Sequence, residues 1–177
     1  MSIHSANVYI DNSNFINSKS DDGINIKFSE VVIKNSKFIN NLGDGIDLDY
    51  CKGTFVNNKL IFESYEGLNN IETDGLDISG TDIKIKENIF ENFSDKGISV
   101  GEKSYPSISM NTFNNNNMAV AIKDSSVAKV EKNIFNNNNE DISLYIKKKL
   151  YGTPKLILNK ENTNLHIKNI QGEIIYQ

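Results

Sequence analysis

The sequence predicts an all-β fold, a right-handed parallel β-helix solenoid of about seven coils with a period of 22 residues. Three observations point there: a repeat of fixed length, a strand-type alternation inside each repeat, and columns of phenylalanine and asparagine that recur in register. The repeat is plainest in the segment Gly23-Ile24-Asn25-Ile26. It returns as Gly45-Ile46-Asp47-Leu48, Gly75-Leu76-Asp77-Ile78 and Gly97-Ile98-Ser99-Val100, then more loosely as Ala119-Val120-Ala121-Ile122 and Asp141-Ile142-Ser143-Leu144. Successive starts differ by 22, 30, 22, 22 and 22 residues. The one long coil carries the polar stretch Glu63-Ser64-Tyr65-Glu66-Gly67-Leu68-Asn69-Asn70. A surface insertion adds little closure entropy, so Asn57 to Asp74 is expected to bulge out while the stack continues unbroken.

A second set of columns confirms the register. Phe15, Phe38, Leu60, Phe90, Phe113 and Phe135 fall at one place in successive coils. Two residues before them stand Ser13, Ser36, Asn58, Asn88, Asn111 and Asn133, and two after them Asn17, Asn40, Phe62, Asn92, Asn115 and Asn137. Apolar residues alternate, as in Ile24/Ile26 and Val31/Ile33, which is the period of a strand. At roughly 3.3 Å per residue a coil has a perimeter of about 70 Å, enough for three short strands and their turns. Each strand then pairs with its counterpart one coil on, about 4.8 Å away. Ile24, Ile46, Leu76, Ile98, Val120 and Ile142 should form one interior column. Asparagines should ladder at the corners, where Gly and Asn also supply left-handed backbone.

Composition narrows the function classes. The chain has 177 residues, 38% hydrophobic and 24% charged, with net charge −4, and reads as a single domain over 1–177. Its basic residues are all lysine. A mildly acidic chain without arginine makes a poor reader of nucleic-acid phosphates, which argues against that partner. One cysteine, Cys51, excludes an internal disulfide and reads as a small packing residue. No run of 18 apolar residues is present, so no membrane span is expected. Residues Met1 to Asn7 lack the basic start and apolar stretch of a signal peptide. The chain is therefore expected to be cytoplasmic if complete, and extracellular or surface-located if a piece of a longer protein. No amphipathic helix caps either end, so the end coils are expected to abut more protein.

The pattern Asn-x-Phe-x-Asn-Asn followed by Asp-Gly-Ile-x-Leu, over roughly residues 8 to 170, resembles the right-handed β-helix repeat superfamily of pectate-lyase-like proteins and other carbohydrate-active enzymes. Segments such as Asp74-Gly75-Leu76-Asp77-Ile78-Ser79-Gly80 and Asp95-Lys96-Gly97-Ile98-Ser99-Val100-Gly101-Glu102 also look like bacterial β-helix domains found beside spore-coat kinase-like modules. The wider resemblance implies a lyase chemistry with an arginine or lysine base and calcium held by aspartates. Arginine is absent, so only a lysine carries over.

Aligned coils place Asn25, Asp47, Asp77, Ser99, Ala121 and Ser143 in one outward column, with Lys27, Asp49, Ser79, Gly101, Lys123 and Tyr145 two residues on. Asp47 and Asp77 become neighbours about 5 Å apart, repelling by roughly 1 kcal/mol in water and about 3 kcal/mol at an effective dielectric of 20. A sheet does not ordinarily stack like charges, so something should compensate. Calcium takes six to eight oxygens, and Asp47, Asp49 and Asp77 are the expected ligands, with Ser79 beside them. Lys96 and Lys123 are the candidate catalytic bases. The competing reading is a solvated charged face, with Lys27 against Asp49 and Lys96 paired with Glu102. Asp22, Asp44 and Asp74 precede glycine or stand beside it and read as corner residues.

Two functions follow. One is the binding or processing of a polysaccharide on the long outward face, with Tyr50, Tyr105, Tyr145 and Tyr151 as the few aromatic platforms. The other is a non-catalytic structural or interaction module of a surface or fibre-like protein, docking another protein domain at its ends. Lys147-Lys148-Lys149 reads as a solvated edge, or as a site for an acidic glycan.

Overall fold

The computed structural model describes residues 1–19, 21–63, 71–159 and 165–177. These form three parallel sheets of eight, eight and six strands, each strand paired with the equivalent strand of the next coil. The first sheet contains Ile24–Lys27, Ile46–Asp49, Asp74–Ser79, Lys96–Gly101, Met118–Lys123 and Glu140–Tyr145. The second contains Glu30–Lys34, Lys52–Val56 and Asp82–Lys86, and the third Lys37–Ile39, Lys59–Ile61 and Ile89–Glu91 among others. This is the right-handed parallel β-helix that the repeat predicts.

The core is built as the columns require. Ile24, Ile46, Leu76, Ile98, Val120 and Ile142 pair in one continuous register and are fully buried. Phenylalanines stack along the third sheet, with ring centroids 5.0 Å apart for Phe15–Phe38 and Phe90–Phe113 and 5.1 Å for Phe113–Phe135. That spacing is the coil repeat itself, so the rings lie in offset stacks worth about 0.5–1.5 kcal/mol each beyond their burial. The inner column of the second sheet runs Val31, Gly53, Ile83. Gly53 has φ 134°, and a Cβ there would lie 2.0 Å from the Val31 carbonyl oxygen, so the position admits glycine alone.

Three ladders close the corners. In the first, the side-chain oxygens of Asn58, Asn88, Asn111 and Asn133 each accept the backbone N–H of the ladder residue one coil before, at 2.8–3.0 Å. In the second, Asn41, Asn116 and Asn138 do the same for Ser18, Phe93 and Asn116. This ladder lies one residue beyond the expected column. Asn17, Asn40, Asn92, Asn115 and Asn137 instead hold positive φ at the corner, and the buried amide is their successor. The third ladder uses hydroxyls: Thr81, Ser104 and Ser126 accept from the N–H groups of Cys51, Thr81 and Ser104. Cys51 occupies a rung of this ladder, buried, and its thiol donates to the carbonyls of Asp49 and Ile26.

The long coil leaves the stack intact, since Ile46 pairs directly with Leu76. Asn57 to Asp74 does not bulge out as a whole, however. Lys59–Ile61 is a strand of the third sheet, and Asp74 already opens a strand of the first. Residues 64–70, where the excess falls, lie outside the described residues.

Candidate functional site

The outward side of the first sheet and its corners hold the buried charged groups Asp74, Lys96, Lys123 and Asp124. At its leading corner the carboxylates form a short ladder of their own. Asp22 Oδ1 accepts the backbone N–H of Asp44, and Asp44 Oδ1 accepts that of Asp74, both at 2.9 Å. These aspartates are corner residues, as their sequence context suggests. Their side chains also turn toward the sheet face, and one oxygen from each of Asp44, Asp74 and Asp77 falls within 4.8 Å of the others. Asp77 Oδ1 is closed to solvent and has no hydrogen-bond partner.

The other predicted residues lie around this triad. Asp47 pairs in register with Asp77, and its Oδ2 accepts a hydrogen bond from Asn25 Nδ2 at 2.5 Å. Asp49 forms an ion pair with Lys27 at 2.6 Å. Lys96 is nearly buried between two carboxylates, 3.2 Å from Asp74 Oδ1 and in contact with Asp95. Its expected partner Glu102 bonds instead to Ser79 and Lys148. Lys123, also nearly buried, reaches over Gly101 and donates to Ser99 Oγ at 2.6 Å. Among the described residues it makes no ion pair. The outward residues Ser99 and Ala121 are fully buried, so this part of the face is closed by long side chains and is not a flat solvated sheet.

The electrostatics follow from burial and crowding. Burial, together with the charge of Asp74, pushes the Asp44 carboxyl up to about 8. Asp47 rises to about 7 through burial and the charges of Asp49 and Asp77. Burial lifts Asp74 to about 6, and Lys96 works against that rise. For the lysines burial disfavours the charged form. In Lys96 the carboxylates of Asp74 and Asp95 outweigh it and hold the amine above its ordinary value. In Lys123 burial prevails over the attraction of Asp77, and the amine sits below its ordinary value. Of the two lysines singled out by sequence, only Lys123 is therefore placed to give up a proton.

Softer donors are scattered. His4 and His166 belong to the opening and closing parts of the chain, Cys51 is spent in its ladder, and Met1 and Met110 are exposed singly. Among the described residues, the one group of three or more acidic, histidine or cysteine side chains with converging ligand atoms is the carboxylate triad.

Sequence reasoning reads Asp44 and Asp74 as corner residues, which they are, and does not bring their oxygens together with that of Asp77. The available signal was their position three residues before the outward column, where the chain swings from corner to strand.

No curated protein and no solved structure matches the chain. A family described as "Periplasmic copper-binding protein (NosD)" matches over residues 1–172. The match agrees with the broad β-helix resemblance and does not extend to the domains beside spore-coat kinase-like modules. Because it spans nearly the whole solenoid, from the opening strands to the last coil, this chain belongs to the NosD family.

Proposed function

We propose that this NosD-family domain binds a hard divalent cation of the calcium kind, held by Asp44, Asp74 and Asp77. The observation that carries the reading is Asp77 Oδ1, a carboxylate oxygen withdrawn from water with no donor to satisfy it. A buried unpaired carboxylate oxygen is costly, and a cation is the partner that would remove the cost. The charge count points the same way, because three carboxylates converge and Lys96 supplies one compensating charge. Asp77 keeps the role that the sequence suggests. Asp44 and Asp74 take the places of Asp47 and Asp49, whose oxygens are engaged by Asn25 and Lys27.

The donor set does not fit copper. Copper sites draw on imidazole, thiolate and thioether, whereas carboxylate oxygens suit calcium, magnesium and manganese. Among the described residues neither histidine joins a cluster of ligand atoms, and the thiol is bonded to backbone carbonyls. No copper centre is assigned to this cluster.

Calcium should raise the melting temperature. At a hundredfold excess over its dissociation constant, a ligand specific for the folded state stabilises by about 2.7 kcal/mol. For a chain of this size that is roughly 5–10 °C. Asp77→Asn should remove the shift while leaving the circular dichroism spectrum unchanged, since the residue lies outside the core. A calcium shift that survives in Asp77→Asn would put the cation elsewhere.

A second reading is favoured by Lys123, a nearly buried amine of lowered basicity on the same face as the carboxylate cluster. In a uronate polysaccharide such an amine can take the proton beside the carboxylate. The freed electron pair forms a carbon–carbon double bond as the glycosidic oxygen leaves and takes up a proton. Incubation with uronate polysaccharides should then produce the ultraviolet absorbance of an unsaturated sugar, and Lys123→Met should abolish it. An absence of absorbance change with alginate and polygalacturonate, with and without calcium, would leave cation binding as the function of the cluster.

A further inference from the structure

The corner that joins the first sheet to the second carries side chains unlike those of the other corners. One residue per coil sits there, and each donates its N–H to a carbonyl one coil on: Ser5, Phe28, Tyr50, Gly80, Lys103 and Ser125. Phe28 and Tyr50 hold φ of 51° and 53°. That left-handed conformation is a true outlier for a bulky residue, and the other corners mostly fill it with asparagine. The strain is not repaid by burial, because Phe28 and Tyr50 are 53% and 56% exposed. Their rings stack 5.0 Å apart, and Tyr50 covers Gly80, where any Cβ would come within 2.6 Å of its ring.

Farther along the same edge stand Lys103, the half-exposed Tyr105, and a projecting tip of Lys147, Lys148, Lys149 and Leu150. Leu150 is 90% exposed, yet the tip is firmly braced. The buried Asp124 Oδ1 accepts the N–H groups of both Lys147 and Lys148 at 2.8 Å, and Gly152 N–H donates to Ser125 Oγ at 2.6 Å. Lys148 is neutralised by Glu102, while Lys103, Lys147 and Lys149 make no ion pair among the described residues. Phe28, Tyr50 and Leu150 thus lie along one corner about 24 Å long, with free lysines at its far half, and Tyr105 stands just inside it, at the start of the second sheet in the row of Glu30, Lys52 and Asp82.

We propose that this edge docks the solenoid onto the surface of an anionic phospholipid bilayer, with Phe28, Tyr50, Tyr105 and Leu150 entering the headgroup layer and Lys103, Lys147 and Lys149 resting on its negative charge. The shape favours lipid over a folded partner. A stable protein interface covers about 800 Å² on each side, whereas four apolar side chains spaced along a corner and its shallow flank offer a narrow contact. A fluid layer, apolar beneath and negative above, accepts such a line without a matching pocket. Lysines serve here as point charges against a diffuse surface, so the lack of arginine's bidentate fork is no obstacle. The proposal is independent of the cation site.

The test is co-sedimentation of the whole chain with vesicles, one set of pure phosphatidylcholine and one containing roughly one-third phosphatidylglycerol, at low and moderate salt. The chain should sediment with the anionic vesicles only, less so as salt rises. The double variant Lys147→Glu, Lys149→Glu should abolish binding. Leu150→Asp and Tyr50→Asn should each reduce the bound fraction about threefold or more. Tyr50→Asn installs a residue that the corner conformation prefers, so loss of fold would not explain its effect, and circular dichroism would verify this. No sedimentation with anionic vesicles overturns the proposal. Binding that survives both Leu150→Asp and Tyr50→Asn also overturns it, because charge alone would then suffice. Retention on heparin or polyglutamate without vesicle binding overturns it as well, and assigns the edge to an acidic macromolecule.

Discussion

Asn111→Ala should destabilise the chain by about 3–5 kcal/mol. Asn111 is fully buried at the middle of its ladder. Its Oδ1 accepts both the backbone N–H and the side-chain amide of Asn88, each at 2.9 Å. Its Nδ2 donates to the Ile85 carbonyl and to Asn133 Oδ1, both at 3.0 Å. Alanine would leave the Asn88 donors and the Ile85 carbonyl buried without partners, at about 1–3 kcal/mol each before relaxation. It would also open a void beside the phenylalanine stack. Urea unfolding of the two chains would measure the difference. A loss below about 1 kcal/mol would mean that water enters the corner and replaces the amide. The exposed Asn115, which only holds the left-handed corner and donates to Asn92, should respond far less to the same change.

The contrast between Asn111 and Asn115 shows what a sequence of this kind makes legible. A column recurs in the sequence whether it serves as a buried ladder or as an exposed corner, so recurrence alone located both and could not separate them. The inward columns were secure because alternation ties each apolar residue to a face, and a one-residue slip would turn Ile24 through Ile142 outward. The corners were less secure. There the chain leaves the strand period, and the direction of a side chain depends on the sign of φ, which asparagine leaves open.

The same reasoning explains the candidate site. Asp47 and Asp77 were legible as stacked carboxylates because they lie inside strands. Asp44 and Asp74 recur at the corner with the coil period, but recurrence leaves open which way the turn aims their oxygens, and it aims them at Asp77. The lysines illustrate a different limit. Lys96 follows Asp95 in the chain and pairs in register with Asp74, whereas Lys123 falls beside a serine, and the balance of burial against these charges is visible only once the strands are paired. The exposed aromatic corner was missed for the opposite reason. Phe28 reads as an ordinary apolar residue and Tyr50 as a platform for a sugar until their backbone conformation joins them in one exposed corner.

The acidic patch should make stability depend on pH in a direction opposite to that of most carboxylates. Asp44, Asp47 and Asp74 are pushed up to about 8, about 7 and about 6 in the folded chain, against an ordinary value of 3.8. Between those limits the folded chain holds more protons than the unfolded one, so the stability of the metal-free protein falls as pH rises from about 4 to about 8. The three carboxyls share one patch and release their protons in coupled steps, and the net fall expected is about 2–4 kcal/mol. In melting temperature that is roughly 5–12 °C for a chain of this length. Calcium should suppress the fall, because the cation takes the place of the protons, and its own affinity should rise over the same interval as they leave. Asp77→Asn should flatten the metal-free curve by removing one of the repelling charges, and should abolish the calcium response at every pH. The measurement is a series of thermal melts from pH 5 to pH 8, with calcium and with a chelator. Metal-free melting that rises steadily with pH would sink the electrostatic account of the patch, and a calcium shift of equal size at pH 5 and pH 8 would place the ion away from Asp44, Asp74 and Asp77.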